Sequence, residues 1–233
     1  MLKTIKEIYH KVERAIIKRT APGRRKKLNN TDFTIISNNC WGGDVYRYFD
    51  LPYQSPTVGL YFWAEDYMRF VKNLVHYFQC ELTFISYEES KYKEYMIEKK
   101  QTNVPIGRLD DIEIVFLHYH SEEEAREKWT RRVKRVNFDN IILKHSLQNL
   151  CTEEHLKDFS ELPFNKKIAF HNKPTELPSV IYYRGYENEQ SVKNDIKLYR
   201  KHMDIIEFLN EPICRYNKQL HERMGNGDID YNP

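Results

Sequence analysis

Short apolar runs separated by amphipathic stretches recur along this chain, and that alternation limits its fold more than any other feature. Residues 33–36, 57–62, 82–86, 112–118, 140–144, 167–170 and 180–183 each read as a strand. Between them, helical spacing puts Tyr67, Phe70, Val71, Leu74 and Phe78 on one face of a helix opened by Glu65 and Asp66. Ser121 and Glu124 have capping-box spacing ahead of a helix that turns Ala125, Trp129, Val133 and Val136 inward. Arg126, Lys128, Arg131, Arg132, Lys134 and Arg135 then read as its solvated face. A further helix is expected over 152–162. A last one carries Val192, Ile196, Tyr199, Met203 and Ile206 and stops before Pro212. Strands alternating with helices predict an α/β protein: a layered α/β/α domain with a mostly parallel or mixed Rossmann-like sheet.

The 233 residues fit one such domain over 31–224, preceded by an arm over 1–30 and followed by a flexible tail over 225–233. The formal charge of +3 hides an asymmetry, because residues 1–30 hold ten Lys/Arg against two Asp/Glu, and the remainder holds 27 against 32. A basic arm on a mildly acidic body argues against nucleic acid as the partner. Leu2, Ile5, Tyr9, Val12 and Ile16 share one helical face in the arm, and Pro22-Gly23 should end that helix. Such a helix suits docking on its own domain or an anionic membrane surface reached through residues 1–28. No apolar run is long enough to span a membrane, and the first thirty residues lack the apolar core of a secretory signal. Cys40, Cys80, Cys151 and Cys214 match neither a disulfide framework nor a zinc spacing. The expected location is therefore the cytoplasm, or the inner face of the cell membrane as a peripheral protein, with free thiols.

The densest chemistry lies in residues 33–44, FTIISNNCWGGD, read as a strand, a turn and the start of a helix at Asp44. Gly42 and Gly43 suit a tight turn and close approach of a ligand, and a helix beginning there would offer N–H groups to a phosphate. Asn38, Asn39, Trp41, Gly42, Gly43 and Asp44 are thus the candidate substrate-binding residues, with Trp41 stacking on a sugar or base. If the strands are parallel neighbours, Cys40, His118, His120 and His145 gather near one rim and become the catalytic candidates. A cysteine at such a place is more often a small buried hydrophobe, and polar residues collect at strand ends in any fold. Asp110-Asp111 precedes its strand and reads as a surface turn. His118 and His120, two apart on a strand, have the spacing to share a metal, but no carboxylate or third ligand completes a known set, and the sequence names no cofactor and no oligomeric state.

The segments SNNCWGGDVYRYFDLPYQSPTVGLYF, VPIGRLDDIEIVFLHY, EEAREKWTRRVKRVNFDNI and CTEEHLKDFSELPF resemble the bacterial domain-of-unknown-function 1919 family, whose members are described as exopolysaccharide biosynthesis proteins. The resemblance covers roughly residues 31–210 and implies a role in capsule or exopolysaccharide assembly, without a mechanism to carry over residue by residue. It also implies acidic residues and a glycine in the turn before CTEE, where this chain has Ser146-Leu147-Gln148-Asn149-Leu150. Within that pathway the leading reading is a transferase joining a nucleotide sugar to a lipid-linked or growing glycan acceptor, with His118, His120 or His145 as the candidate general base. A Cys40-dependent acyl transferase or hydrolase, and a non-catalytic module that recruits other enzymes to a membrane, are the alternatives.

Overall fold

The computed structural model describes residues 2–177 and 179–210, with side chains from residue 11 onward. The chain opens with helix α1 (Leu2–Arg25), then strand β1 (Thr34–Ser37) and helix α2 (Trp41–Tyr48). Strand β2 (Tyr61–Phe62) leads into helices α3 (Ala64–Lys72) and α4 (Leu74–Gln79), and strand β3 (Thr83–Ile85) follows. Helix α5 (Lys93–Glu98) precedes the hairpin of β4 (Ile106–Leu109) and β5 (Ile112–Val115), which runs on to helix α6 (Glu122–Val133). Then come β6 (Ile141–Ser146), α7 (Glu153–Glu161), β7 (Lys167–His171), β8 (Val180–Tyr182) and two short helices, α8 (Asp195–Leu198) and α9 (Ile205–Leu209).

The fold is mixed α/β, and its strands divide between two sheets where one was expected. One is parallel, in the order β1-β6-β7-β8; the other is antiparallel, in the order β2-β5-β4-β3. The parallel sheet follows from sequence, because β1 and β6 are buried along their whole length, as strands covered on both faces must be. The antiparallel sheet was harder to read. Residues 105–107 looked like a turn, yet Gly107 sits inside β4. An added Cβ there would lie 2.6 Å from Phe116 Cε2 and 2.7 Å from Leu82 Cδ1, so only glycine fits. The turn is Asp110-Asp111, both exposed, with Asp110 at φ 51°. The two sheets meet where Phe62 N–H donates to the Asn38 carbonyl at 3.0 Å. Tyr67 sits beneath that junction, its hydroxyl 2.8 Å from the carbonyls of both Ile36 and Lys144. One apolar core runs from Phe33 and Val45 through Phe70 and Trp129 to Phe170 and Leu209.

Three expectations about helices change. Pro22 does not end α1, which continues to Arg25. A proline removes one helical hydrogen bond, but the turn around it is held from outside. Ala21 is wholly buried, and Arg24 Nε and Arg25 Nη1 donate to the carbonyls of Tyr48 and Phe49, each at 2.8 Å. Those are terminal carbonyls of α2, which carry partial negative charge and have no helical partner. The arm is therefore anchored at its end, while Val12 and Ile16 remain exposed; the side chains of Leu2, Ile5 and Tyr9 lie outside the described residues. Helix α2 begins at Trp41, ahead of the expected Asp44. The long C-terminal helix is broken into pieces, because the Asp204 carboxylate accepts from the N–H groups of Ile206 and Glu207 and caps a new helix. Pro212, Cys214 and the tail over 225–233 lie outside the described residues. Among the described residues, no helix is long and apolar enough to cross a membrane.

Candidate functional site

At the carboxyl end of β1 the chain turns through Asn38, Asn39 and Cys40 into α2, and its side chains are used mainly on the protein itself. Ser37 Oγ accepts from Gly42 N–H at 3.3 Å, and Asn39 Oδ1 accepts from Trp41 N–H at 3.1 Å. Two amides of the first turn, expected to be available to a phosphate, are thus occupied. Gly42 and Gly43 lie within the helix, so they are not turn formers. Their lack of a side chain lets α2 pack closely: a Cβ on Gly42 would be 3.0 Å from Ile35 Cγ2, and one on Gly43 would be 3.0 Å from Val58 Cγ1. Trp41 is wholly buried, edge-on to Phe170 and Tyr199 with ring centroids 6.3 and 5.2 Å away, and cannot reach a ligand. That placement corrects the expectation of a stacking platform. Its aromatic area serves the core, where it excludes most water.

Beneath this turn lies a buried polar network that no sequence motif announced. Lys144, in the middle of β6, has its Nζ 2.5 Å from Asp195 Oδ2, 2.9 Å from Ser146 Oγ, 3.0 Å from Asn39 Oδ1 and 3.3 Å from Asn38 Oδ1. All four are acceptors, which suits an ammonium. Asn39 Nδ2 donates to Asp195 Oδ2 at 2.9 Å, and Ser146 Oγ and Gln148 Nε2 donate to the same carboxylate at 3.0 and 3.1 Å. Burial pushes the Asp195 carboxyl up, but the Lys144 charge and these donors more than offset it, and the net direction is downward. Asn38 is also wholly buried, and its Nδ2 has no partner among the described residues. Asn38 and Asn39 therefore hold Lys144 and Asp195 in register. Their signal in sequence was present; that of Asp195, 156 residues on from Asn39, was not.

Above the network opens a cleft of about 700 Å³. Cations surround it: Arg47 from α2, Lys99 from the end of α5, Lys128 and Arg132 from α6, and Lys193 and Lys197 near α8. Of these cations Arg47 is paired with Asp44, Lys128 with Glu124 and Lys193 with Glu189, and the lining carboxylate Asp195 is paired with Lys144, so among the described residues Lys99, Arg132 and Lys197 are the lining cations without a carboxylate partner. Arg132, expected on a solvated face, is buried, and its guanidinium donates to the Val58 carbonyl at 3.0 Å and the Tyr119 hydroxyl at 2.6 Å. Lys99 packs its ammonium 5.0 Å from the Trp63 ring centre and 2.8 Å from Asn149 Oδ1. Such a cleft attracts anions, since low-dielectric walls strengthen the field of an unmatched charge.

The catalytic candidates separate. Cys40 and His118 both line the cleft. The Cys40 thiol faces the Leu60 carbonyl at 3.7 Å and is pushed up to about 11, first by burial and then by Asp195, with Lys144 opposing. His120 is exposed outside the cleft, its N–H donating to Glu124 at 2.7 Å. His145 lies inside β6, wholly buried against Tyr67 and Phe159, and burial foremost drives it well below the ordinary histidine value. Its sulfur neighbour is Cys151, 3.5 Å away, and burial pushes that thiol up to about 12. The expected single rim does not form, because His118 follows an antiparallel strand and His145 points into the core. Cys40, Cys80 and Cys151 are free thiols.

Comparison with known proteins adds the following. The family model described as Domain of unknown function (DUF1919) matches residues 8–210, which takes in most of α1 as well as both sheets. An uncharacterized protein of Haemophilus influenzae is 35% identical over 189 residues, a stretch covering 81% of this chain and 84% of that protein. With a match of that extent, the chain belongs to the domain-of-unknown-function 1919 family.

Proposed function

We propose that the protein is a transferase of exopolysaccharide or capsule assembly, which takes a nucleotide sugar in the cationic cleft and passes the sugar to a glycan acceptor. The observation that carries this reading is the cationic lining of the cleft, in which Lys99, Arg132 and Lys197 have no carboxylate partner among the described residues. A diphosphate is the ligand chemistry that such a set of side chains matches. The parallel sheet then serves as a Rossmann-like half, with the ligand beyond the carboxyl ends of its strands. In the proposed reaction an acceptor hydroxyl gives its proton to His118, and its oxygen attacks the anomeric carbon. The bond from that carbon to the diphosphate oxygen breaks, and Arg47, Lys128 and Arg132 hold the departing charge. Cys40 lines the cleft, but burial and then Asp195 raise its thiol, which gives the thiol-nucleophile reading less support. Membrane apposition through α1 belongs to the same proposal, with Val12 and Ile16 entering an anionic surface beside Lys11, Arg14, Lys18 and Arg19.

Calorimetric titration of the full chain with a panel of nucleoside diphosphate sugars tests this reading. Binding should be detectable for at least one of them. Lys128→Gln and Arg47→Gln should each weaken it about tenfold, the loss of one charge-assisted contact. No binding at millimolar concentration, or affinity unchanged in both variants, would overturn it.

A further inference from the structure

Away from the cleft, three side chains with metal-ligand chemistry converge between α4 and the β4–β5 hairpin. Cys80 caps the end of α4 four residues after His76, and its N–H donates to the His76 carbonyl at 3.2 Å, which brings the two side chains together. Asp110 reaches them from the hairpin turn. One ligand atom from each residue lies within 4.8 Å of the other two: His76 Nε2 is 2.9 Å from Asp110 Oδ2 and 3.6 Å from Cys80 Sγ. The neighbouring Asp111 is committed elsewhere, accepting from Arg69 at 2.6 Å and from the Tyr77 hydroxyl at 2.7 Å. That anchoring holds the turn so that Asp110 faces the helix. The six residues of α4 matter only as the scaffold that places His76 beside Cys80.

We propose that His76, Cys80 and Asp110 form a zinc site. In a tetrahedral centre with Zn–N about 2.0 Å and Zn–S about 2.3 Å, the nitrogen and sulfur are about 3.6 Å apart, and His76 Nε2 and Cys80 Sγ already stand at 3.6 Å. The hydrogen bond between His76 and Asp110 opens by about half an ångström to admit the ion at those bond lengths. His76 and Asp110 are partly exposed, so an ion has an entry path and water completes the fourth position. A thiolate and an imidazole select zinc over magnesium or calcium, which take oxygen ligands. On binding, the Cys80 sulfur gives its proton to solvent and its electron pair to the metal. The bound ion ties α4 to the hairpin of the antiparallel sheet and so braces the wall of the core there.

Metal-free full-length protein titrated with Co²⁺ should develop one equivalent of a thiolate-to-cobalt charge-transfer band, which Zn²⁺ abolishes and millimolar Mg²⁺ does not. Cys80→Ser should lose the band, and Asp110→Asn should bind at least about tenfold more weakly. Both variants should keep the far-ultraviolet dichroism of the parent. The cysteines Cys40, Cys151 and Cys214 serve as internal controls, so a band of full strength in Cys80→Ser overturns the proposal, as does the absence of any band in the parent. Should Cys80→Ser fail to fold, Asp110→Asn decides the question, because its side chain is exposed. Unchanged cobalt affinity in that variant overturns the site.

Discussion

Lys144 and Asp195, 51 residues apart in sequence, form an ion pair with Nζ 2.5 Å from Oδ2 and with almost no exposure of either side chain. It joins the centre of the parallel sheet to the segment that closes the cleft. A buried pair of this kind gains little over an apolar pair, but losing one partner strands a charge. Lys144→Met alone should cost about 3–5 kcal/mol in urea unfolding, and adding Asp195→Leu should recover part of that loss, the remainder being the partners that Asn38, Asn39 and Ser146 lose. A double variant no more stable than the single one would show that the pair does not act as a unit.

The same carboxylate makes a pH prediction. Asp195 is held below its ordinary value of 3.8 in the folded protein, so folding favours its charged form. Its contribution is complete above the unfolded value and is lost as pH falls through the lower folded one. Stability measured against pH should therefore show an Asp195-dependent drop confined to the region below 3.8, absent in the Lys144→Met/Asp195→Leu variant.

Asn39→Ala should behave as a stability variant. It removes donors to Asp195, an acceptor from Lys144 and the acceptor for the Trp41 N–H. Leaving such groups buried without partners costs about 1–3 kcal/mol each, and part of that should appear in a lower unfolding midpoint. A melting temperature equal to the parent's would mean that the network re-forms without this residue.

In the turn that departs from the expected family pattern, Asn149 and Leu150 lie at φ 51° and 67°. A leucine held there stores about 1–2 kcal/mol of strain, which glycine avoids. Leu150 is also 41% exposed and packs little. Leu150→Gly should raise stability by about 0.5–1 kcal/mol after the entropy that glycine adds to the unfolded chain. Thermal unfolding checks it, and a lower midpoint would refute the strain argument.

Truncation of the arm should have two regimes. Removing residues 1–19 leaves Ala21, Arg24 and Arg25 on α2, so the unfolding midpoint should hold while binding to anionic vesicles falls. Removing residues 1–28 also strips both arginine contacts from the carbonyls of Tyr48 and Phe49, and the midpoint should drop. Equal vesicle binding before and after the shorter truncation would refute the membrane role of α1.

Local pattern alone determined much of this protein. The apolar runs at β1, β6, β7 and β8, the cap at Ser121, and the density of chemistry around Asn38 to Asp44 all follow from short-range rules of burial, spacing and hydrogen bonding. Tertiary structure decided the rest. Whether β5 joins the sheet of β1 or a second one depends on which strand edges meet, and no local residue encodes that. Gly107 looks like a turn until Phe116 and Leu82 press on it. Lys128 and Arg132 read as solvated until α6 is laid against the cleft, and Pro22 reads as a stop until two arginines hold the turn around it. His76, Cys80 and Asp110, like Lys144 and Asp195, become neighbours only when distant segments are brought together. The physical reason is range: secondary structure is set by neighbours a few residues away, whereas charge pairing and ligand geometry depend on which surfaces the core forces into contact.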